Sequence, residues 1–360
     1  MQPVIEARAP GKLVIVGEYA VLHGAPGISV AVDVCALARL ELITGLGSEL
    51  CISGSGERFG FHWGVAAKPR WTGLSPGAFG LPLESCIATL GAHGLLPQPE
   101  ELPVCRIELD TSAFHGSDAA GQRIKLGLGS SAAVLVALMG ALLKFVRAAP
   151  LPQDRLIALC CAAHRHLQGG IGSGIDVATA VTGGVISVDF TPTSDIPHAS
   201  SLAWPRKLHM LAVWSGASAS TPAMLGRLQR YREQQAAACT AHMAQLGAIS
   251  AQAVTAWREE DTGAVLEALD SYASALRNLD QAAGIGIYSD RHAALRDIAL
   301  AHGAVYKTSG AGGGDFGIAL STSQQLQSAL RQVYTAGGHM CLAAGLCPPG
   351  LQVQAGNQGT

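Results

Sequence analysis

Residues 125–133 read KLGLGSSAA, and this stretch runs straight into the apolar segment AAVLVALMGALL, residues 132–143. A glycine-rich turn feeding a helix leaves the N–H groups of the first helical turn unpaired and aims the positive end of the helix dipole at whatever lies before it. Such a junction is an anion site, and phosphate suits it. Ser130 and Ser131 add hydroxyls at the place where phosphate-loop logic puts a Mg²⁺ ligand. A serine capping an ordinary buried helix would carry the same local signature. The stretch is neither GxxxxGK[ST] nor a GxGxxG that follows a strand within a βαβ unit, so neither familiar nucleotide-binding loop applies directly.

Two other segments bear on this choice. Residues 9–24, APGKLVIVGEYAVLHG, break the chain with Pro and Gly just before Lys12 and place Glu18 and Tyr19 after a short apolar strand. Residues 307–320, KTSGAGGGDFGIAL, read as a strand, a glycine turn and a second strand. Successive glycines there let backbone amides close over a ligand. The 44 glycines of the chain cluster at 127–129, 169–174 and 310–314, which punctuates three separate segments.

Around these segments the pattern predicts strands at 5–9, 12–16, 28–34 and 36–43, then helices at 82–90, 131–146 and 154–168 and a strand at 184–190. Residues 191–207, TPTSDIPHASSLAWPRK, lack periodicity and are rich in Pro and Ser, which marks a boundary. Beyond it come a strand at 208–214, helices at 222–246, 264–283 and 290–302, a strand at 316–320 and a helix at 323–336. Both halves are α+β. The polar tail QAGNQGT is expected to fray.

At 360 residues the chain has length for about two domains. Its 24 Lys plus Arg against 26 Asp plus Glu lack the basic excess that a nucleic-acid partner calls for. The longest apolar run falls short of the roughly 20 residues a spanning helix needs, so no membrane partner is expected. The first ten residues lack a signal-peptide pattern, which points to the cytoplasm. Nine cysteines without a CxxC pair fit reduced thiols, Cys160 and Cys161 being expected in the core.

In their order and separations the three segments resemble the three signature motifs of the GHMP kinase superfamily, the small-molecule kinases of galactose, homoserine, mevalonate and phosphomevalonate. The resemblance spans nearly the whole chain. It implies an α+β, two-domain GHMP kinase fold: an N-terminal ATP-binding domain over residues 1–200 with a left-handed βαβ unit, and a C-terminal ferredoxin-like domain over residues 201–360. Within the superfamily, residues 169–190, GGIGSGIDVATAVTGGVISVDF, and residues 213–221, VWSGASAST, are similar to the corresponding segments of phosphomevalonate kinases. That likeness implies transfer of a phosphoryl group from ATP, with Mg²⁺, to mevalonate 5-phosphate in isoprenoid biosynthesis. The alternatives are mevalonate kinase or another small-molecule kinase of the superfamily, a related diphosphomevalonate decarboxylase, and a non-catalytic metabolite binder. The implied partner is a small phosphorylated substrate, and the chain acts as a monomer or homodimer.

The same resemblance assigns residues. Gly127, Leu128, Gly129, Ser130, Ser131 and Ala132 wrap the ATP phosphates, with Ser131 as the Mg²⁺ ligand. Lys12 and Asp176 form the catalytic pair. Substrate contacts fall on Glu18, Tyr19 and His23, on Ser173, on Ser218, Ser220 and Thr221, and on Gly310, Ala311 and Gly312. Asp176 could otherwise be a capping residue, and the serines near Pro222 an ordinary N-cap. Mevalonate kinases carry a metal-binding glutamate ahead of the aspartate, whereas this chain reads AHRHLQGG there, without a carboxylate. His164, His166 and Gln168 are candidates for phosphate or metal, or solvated positions on a helix. Further positive charge is available from Lys68, Arg70, Arg123 and Lys125.

Overall fold

A computed structural model describes residues 3–64, 68–98, 101–117, 121–146, 149–168, 172–191, 194–342 and 345–357. The first part of the chain forms β1 (Pro3–Val16), β2 (Gly27–Leu42), β3 (Ser48–Ile52), β4 (Glu57–His62) and β5 (Arg70–Thr72), then α1 (Leu81–Ala92). It continues with β6 (Cys105–Asp110), β7 (His115–Ser117), β8 (Arg123–Lys125), α2 (Ser130–Phe145), α3 (Gln153–Leu167), α4 (Ile175–Thr182), β9 (Val185–Thr191) and β10 (Ser194–Leu202). The second part forms β11 (His209–Trp214), α5 (Thr221–Gln234), α6 (Ala236–Arg258), α7 (Thr262–Ala283), α8 (Asp290–Ala301), β12 (Val305–Thr308), β13 (Phe316–Ser321), α9 (Gln324–Ala336) and β14 (Gln352–Asn357).

A large sheet is organised around β2, whose one edge pairs along its length with β1 while the other takes β9 at residues 27–30 and β6 at residues 37–42. Residues 5–9 of β1 alternate buried and exposed, as a strand with one wet face must, and residues 10–16 are buried throughout. The change of pattern follows from α2 and α4, which pack on β1. Apolar around its whole circumference, α2 is the central helix, packing on β1, β2 and β14 and against α1, α3 and α4. In the second part β11, β13 and β12 form an antiparallel sheet against which α8 and α9 pack. Cys160 and Cys161 are buried as expected, and all nine cysteines are free.

Three expectations are corrected. Residues 194–202, inside the stretch read as a boundary, form β10, an edge strand paired with β9; its Pro197 sits where an edge strand tolerates a missing donor. Pro192 and Thr193 of that stretch lie outside the described residues. The helix expected over 222–246 is broken at Gln235, which leaves the helical region at φ −139° and divides it into α5 and α6. No Gly or Pro marks that break in the sequence. The tail does not fray over residues 354–357, because β14 pairs antiparallel with β1, Pro3 opposite Asn357 and Arg8 opposite Gln352. The ranges 1–200 and 201–360 therefore do not keep to separate sheets, and the last strand of the chain completes the first one. Residues 358–360 lie outside the described residues.

Candidate active site

The three glycine-bearing segments meet at one cleft of about 500 Å³. The N-terminal ends of α2, α4 and α5 open onto it through Gly129 and Ser131, Gly174 and Asp176, and Ser220, Thr221 and Pro222. Gly129 and Gly174 each take left-handed backbone angles, φ 82° and 77°, so the chain turns sharply into its helix and presents the first N–H groups to the cleft.

Lys12 reaches the cleft from β1, only 8% exposed. Its backbone N–H donates to the Leu128 carbonyl at 2.9 Å, which ties β1 to the loop before α2. The Lys12 Nζ lies 3.9 Å from Oδ1 of Asp176, in the first turn of α4. A carboxylate there is favoured by the helix dipole, and the N-cap position itself belongs to Gly174. Ser309 closes the third segment onto the first: its Oγ accepts from the Val14 N–H at 2.8 Å and donates to the Val14 carbonyl at 3.0 Å.

Of the remaining residues singled out in the sequence, Gly127, Ser131, Glu18, Tyr19, Ser173, Ser218, Gly310 and Ala311 line the same cleft. Leu128, Ser130 and Ala132 are buried and do not line it, and Gly312 packs against Ile287. Glu18 is paired with Lys307, and its Oε2 has no hydrogen-bond partner among the described residues. Tyr19 donates its hydroxyl to the Ala311 carbonyl at 2.5 Å, and burial raises its pKa above the usual range. His23 lies elsewhere, exposed in a second cavity with Arg232, Cys239 and Met243. Gly169, Gly170 and Ile171 are outside the described residues.

His164 is buried and lines the cleft, its Nε2 3.3 Å from the Ser131 Oγ; burial lowers its pKa and Asp176 opposes that shift. His166 is exposed, so alternation along α3 puts one histidine in the site and one in solvent. Lys125 lines the cleft, while Lys68, Arg70 and Arg123 are exposed outside it.

With this geometry in place the relatives can be set beside it. Residues 108–184 match the GHMP kinases N terminal domain, and residues 253–339 match the GHMP kinases C terminal family. Phosphomevalonate kinase of Streptomyces sp. (strain CL190) is 30% identical over 346 residues, covering 89% of this chain and 90% of that protein. The chain belongs to the GHMP kinases. Solved structures share the fold: a Lin0012 protein from Listeria innocua has a TM-score of 0.81 at 24% identity, covering 99% of this chain and 100% of that one. Streptococcus pneumoniae phosphomevalonate kinase in complex with phosphomevalonate and AMPPNP has a TM-score of 0.73 at 20% identity, covering 95% and 99%. The expected two-domain α+β GHMP kinase fold is thus observed.

Two further residues at the site of this GHMP kinase take no role from the sequence. Lys307 is wholly buried and does not line the cleft, but it pairs with Glu18, which does; its burial cannot be read from its neighbours in the chain. Asp315, directly after a run of glycines, lines the cleft with a left-handed backbone, φ 57°. An acid in that position is the signal that was available. A divalent metal carried by ATP fits the donor set: Mg²⁺ takes hard oxygens, keeps several waters and phosphate oxygens, and needs one or two protein groups. Ser131 and Asp176 supply a hydroxyl and a carboxylate, and no cluster of three metal-ligating side chains exists among the described residues.

Proposed function

We propose that this GHMP kinase transfers the γ-phosphoryl group of ATP to mevalonate 5-phosphate, giving mevalonate 5-diphosphate and ADP. The observation that carries this is the convergence of three helix N-termini with Lys12 and Lys125 on one cleft. Each N-terminus acts as about half a positive charge, so together they supply what a cation-poor chain needs to hold two polyanions at once. The Streptomyces relative, matched over nine-tenths of its length, supports the choice of acceptor.

Phosphoryl transfer asks the protein chiefly to position the reactants and to stabilise charge. An oxygen of the acceptor phosphate attacks the γ-phosphorus, the bond to the β-phosphate bridging oxygen breaks, and ADP leaves. With a second pKa near ~6 the acceptor phosphate is already largely ionised at neutral pH, so no strong base is required. In this reading Asp176 orients Lys12 and the acceptor, and the Lys12 ammonium faces the charge that develops on the transferred group. The N-terminus of α2 binds the ATP phosphates, and the 215–221 loop with the N-terminus of α5 takes the acceptor. Ser131 and Asp176 would hold Mg²⁺, which would supply neutralisation of phosphate charge. The same proposal assigns ATP binding to residues 1–200, completed by β14, and the ferredoxin-like domain to residues from 201 onward.

A cytoplasmic enzyme acting as monomer or homodimer belongs to this reading, supported by nine free thiols that suit a reducing compartment. No helix among the described residues is long and apolar enough to cross a membrane. The deciding experiment measures ADP release with Mg²⁺-ATP on mevalonate, mevalonate 5-phosphate, mevalonate 5-diphosphate, homoserine and galactose, with product masses and released carbon dioxide recorded. The expected result is turnover of mevalonate 5-phosphate alone with gain of one phosphoryl group. Turnover of an unphosphorylated acceptor, or carbon dioxide from the diphosphate, overturns it.

A further inference from the structure

Asp315 makes three hydrogen bonds to the loop of residues 215–221. Its N–H donates to the Ala217 carbonyl at 2.7 Å, its carbonyl accepts from the Ser215 N–H at 2.8 Å, and its Oδ1 accepts from the Ala219 N–H at 3.2 Å. The other side of the carboxylate lies against Gly127, where any Cβ would overlap it; the phosphate loop must carry glycine at that position because Asp315 occupies the space. A second tie runs alongside, Ser218 Oγ donating to the Lys125 carbonyl at 2.8 Å. The backbone of Asp315 is left-handed, φ 57°, a conformation that aspartate adopts more readily than most non-glycine residues.

We propose that Asp315 is a positioning residue that registers the acceptor loop, residues 215–221, on the phosphate loop, residues 127–131. It touches neither reactant in this scheme; it sets the distance between the two loops that hold them. Burial raises the pKa of this carboxyl while the Ala219 N–H, Lys12 and Lys125 oppose the rise. The four glycines at 310 and 312–314 leave the loop before it conformationally free; Tyr19 holds it at the Ala311 carbonyl, Ile287 at the Gly313 N–H, and Asp315 fixes its C-terminal end against the 215–221 loop. The assignment of the two loops rests on the kinase reading above.

Three proteins test it: wild type, Asp315→Gly and Asp315→Asn. Glycine accepts φ 57° without strain, so Asp315→Gly removes the carboxylate and keeps the backbone. Asparagine tolerates the same backbone and still offers an oxygen to the Ala219 N–H. Hydrogen exchange without any ligand should show the peptide containing Ala219 exchanging ~10-fold faster in Asp315→Gly and near wild type in Asp315→Asn, as loss of one acceptor for a backbone N–H requires. In kinetics Asp315→Gly should raise KM for mevalonate 5-phosphate ~10-fold and lower kcat by up to ~100-fold, the size of a small misplacement of reactants, with AMPPNP binding within ~3-fold of wild type. Asp315→Asn should recover most of both. Wild-type exchange and KM in Asp315→Gly, or an Asp315→Asn protein as impaired as Asp315→Gly, overturn the proposal. Should the wild-type enzyme fail to turn over mevalonate 5-phosphate, the proposed function falls, and the exchange comparison still decides the role of Asp315.

Discussion

Lys307, wholly buried at the end of β12, donates to the Glu18 carboxylate that follows β1, joining residues 289 positions apart in the chain. Around this pair Lys307 Nζ also donates to the Thr308 carbonyl at 2.6 Å, and Tyr272 donates to the Glu18 carbonyl at 2.6 Å. Burial pulls the Lys307 ammonium below the usual lysine range and Glu18 opposes that shift. Removing one partner leaves the other charge buried without compensation. Lys307→Met should therefore destabilise by about 3 to 5 kcal/mol, and the Glu18→Gln, Lys307→Met double variant should recover part of that loss. Denaturant unfolding of wild type, Glu18→Gln, Lys307→Met and the double variant decides it; a Lys307→Met protein as stable as wild type would exclude a structural role for the pair.

The Lys12 and Asp176 pair makes a separate prediction, about rate. Lys12→Ala and Asp176→Ala should each cut turnover by at least ~100-fold while the fold persists, as loss of one preorganised electrostatic group does. Initial rates with Mg²⁺-ATP and mevalonate 5-phosphate, alongside melting curves, test this. Near-wild-type rates in either variant would remove the mechanism given above.

Ser131 and His164 should behave as one unit toward the nucleotide. His164→Ala and Ser131→Ala are each expected to raise KM for ATP by ~10-fold, about one hydrogen bond's worth, with KM for the acceptor unchanged. The double variant should lose less than the sum of the two in free energy. Strictly additive losses would show that the ring and the hydroxyl act apart.

The buried His292 makes the stability depend on pH. Its Nε2 faces the Gly314 carbonyl at 2.8 Å and its Nδ1 the Tyr306 hydroxyl at 2.7 Å. A carbonyl only accepts, so Nε2 carries the proton and Nδ1 accepts from Tyr306. Burial lowers the pKa of this histidine below 6.5, with the Gly314 carbonyl opposing. Between that lowered value and 6.5 the unfolded chain binds more protons than the folded one, so stability rises with pH through this window and falls on acidification. One such group contributes at most about 1.4 kcal/mol per pH unit. Denaturant unfolding from about pH 7.5 down to about pH 5.5 should fall less steeply for His292→Gln than for wild type; equal slopes would exclude His292 as a source.

The glycine loops and the helices they feed were legible in the sequence because both are local devices. An anion site at a helix N-terminus is built from amides within one turn of each other, and 3.6-residue periodicity announces the helix behind it. The start of α2, expected at Ser131 and found at Ser130, therefore followed from residues near at hand, whereas α4, only eight residues long, was not among the expected helices. β10 and β14 were illegible because an edge strand rich in polar residues forms only when a neighbour, β9 or β1, offers a free row of amides and carbonyls. What a charged or titratable side chain does depends on distant elements. His164 meets Ser131 across 33 residues, and Asp315 meets Gly127 only when the second part of the chain closes on the first. The sequence by itself determined the backbone devices for holding phosphate. The tertiary structure alone decided which side chains surround them, since burial and electrostatics are properties of the packed whole.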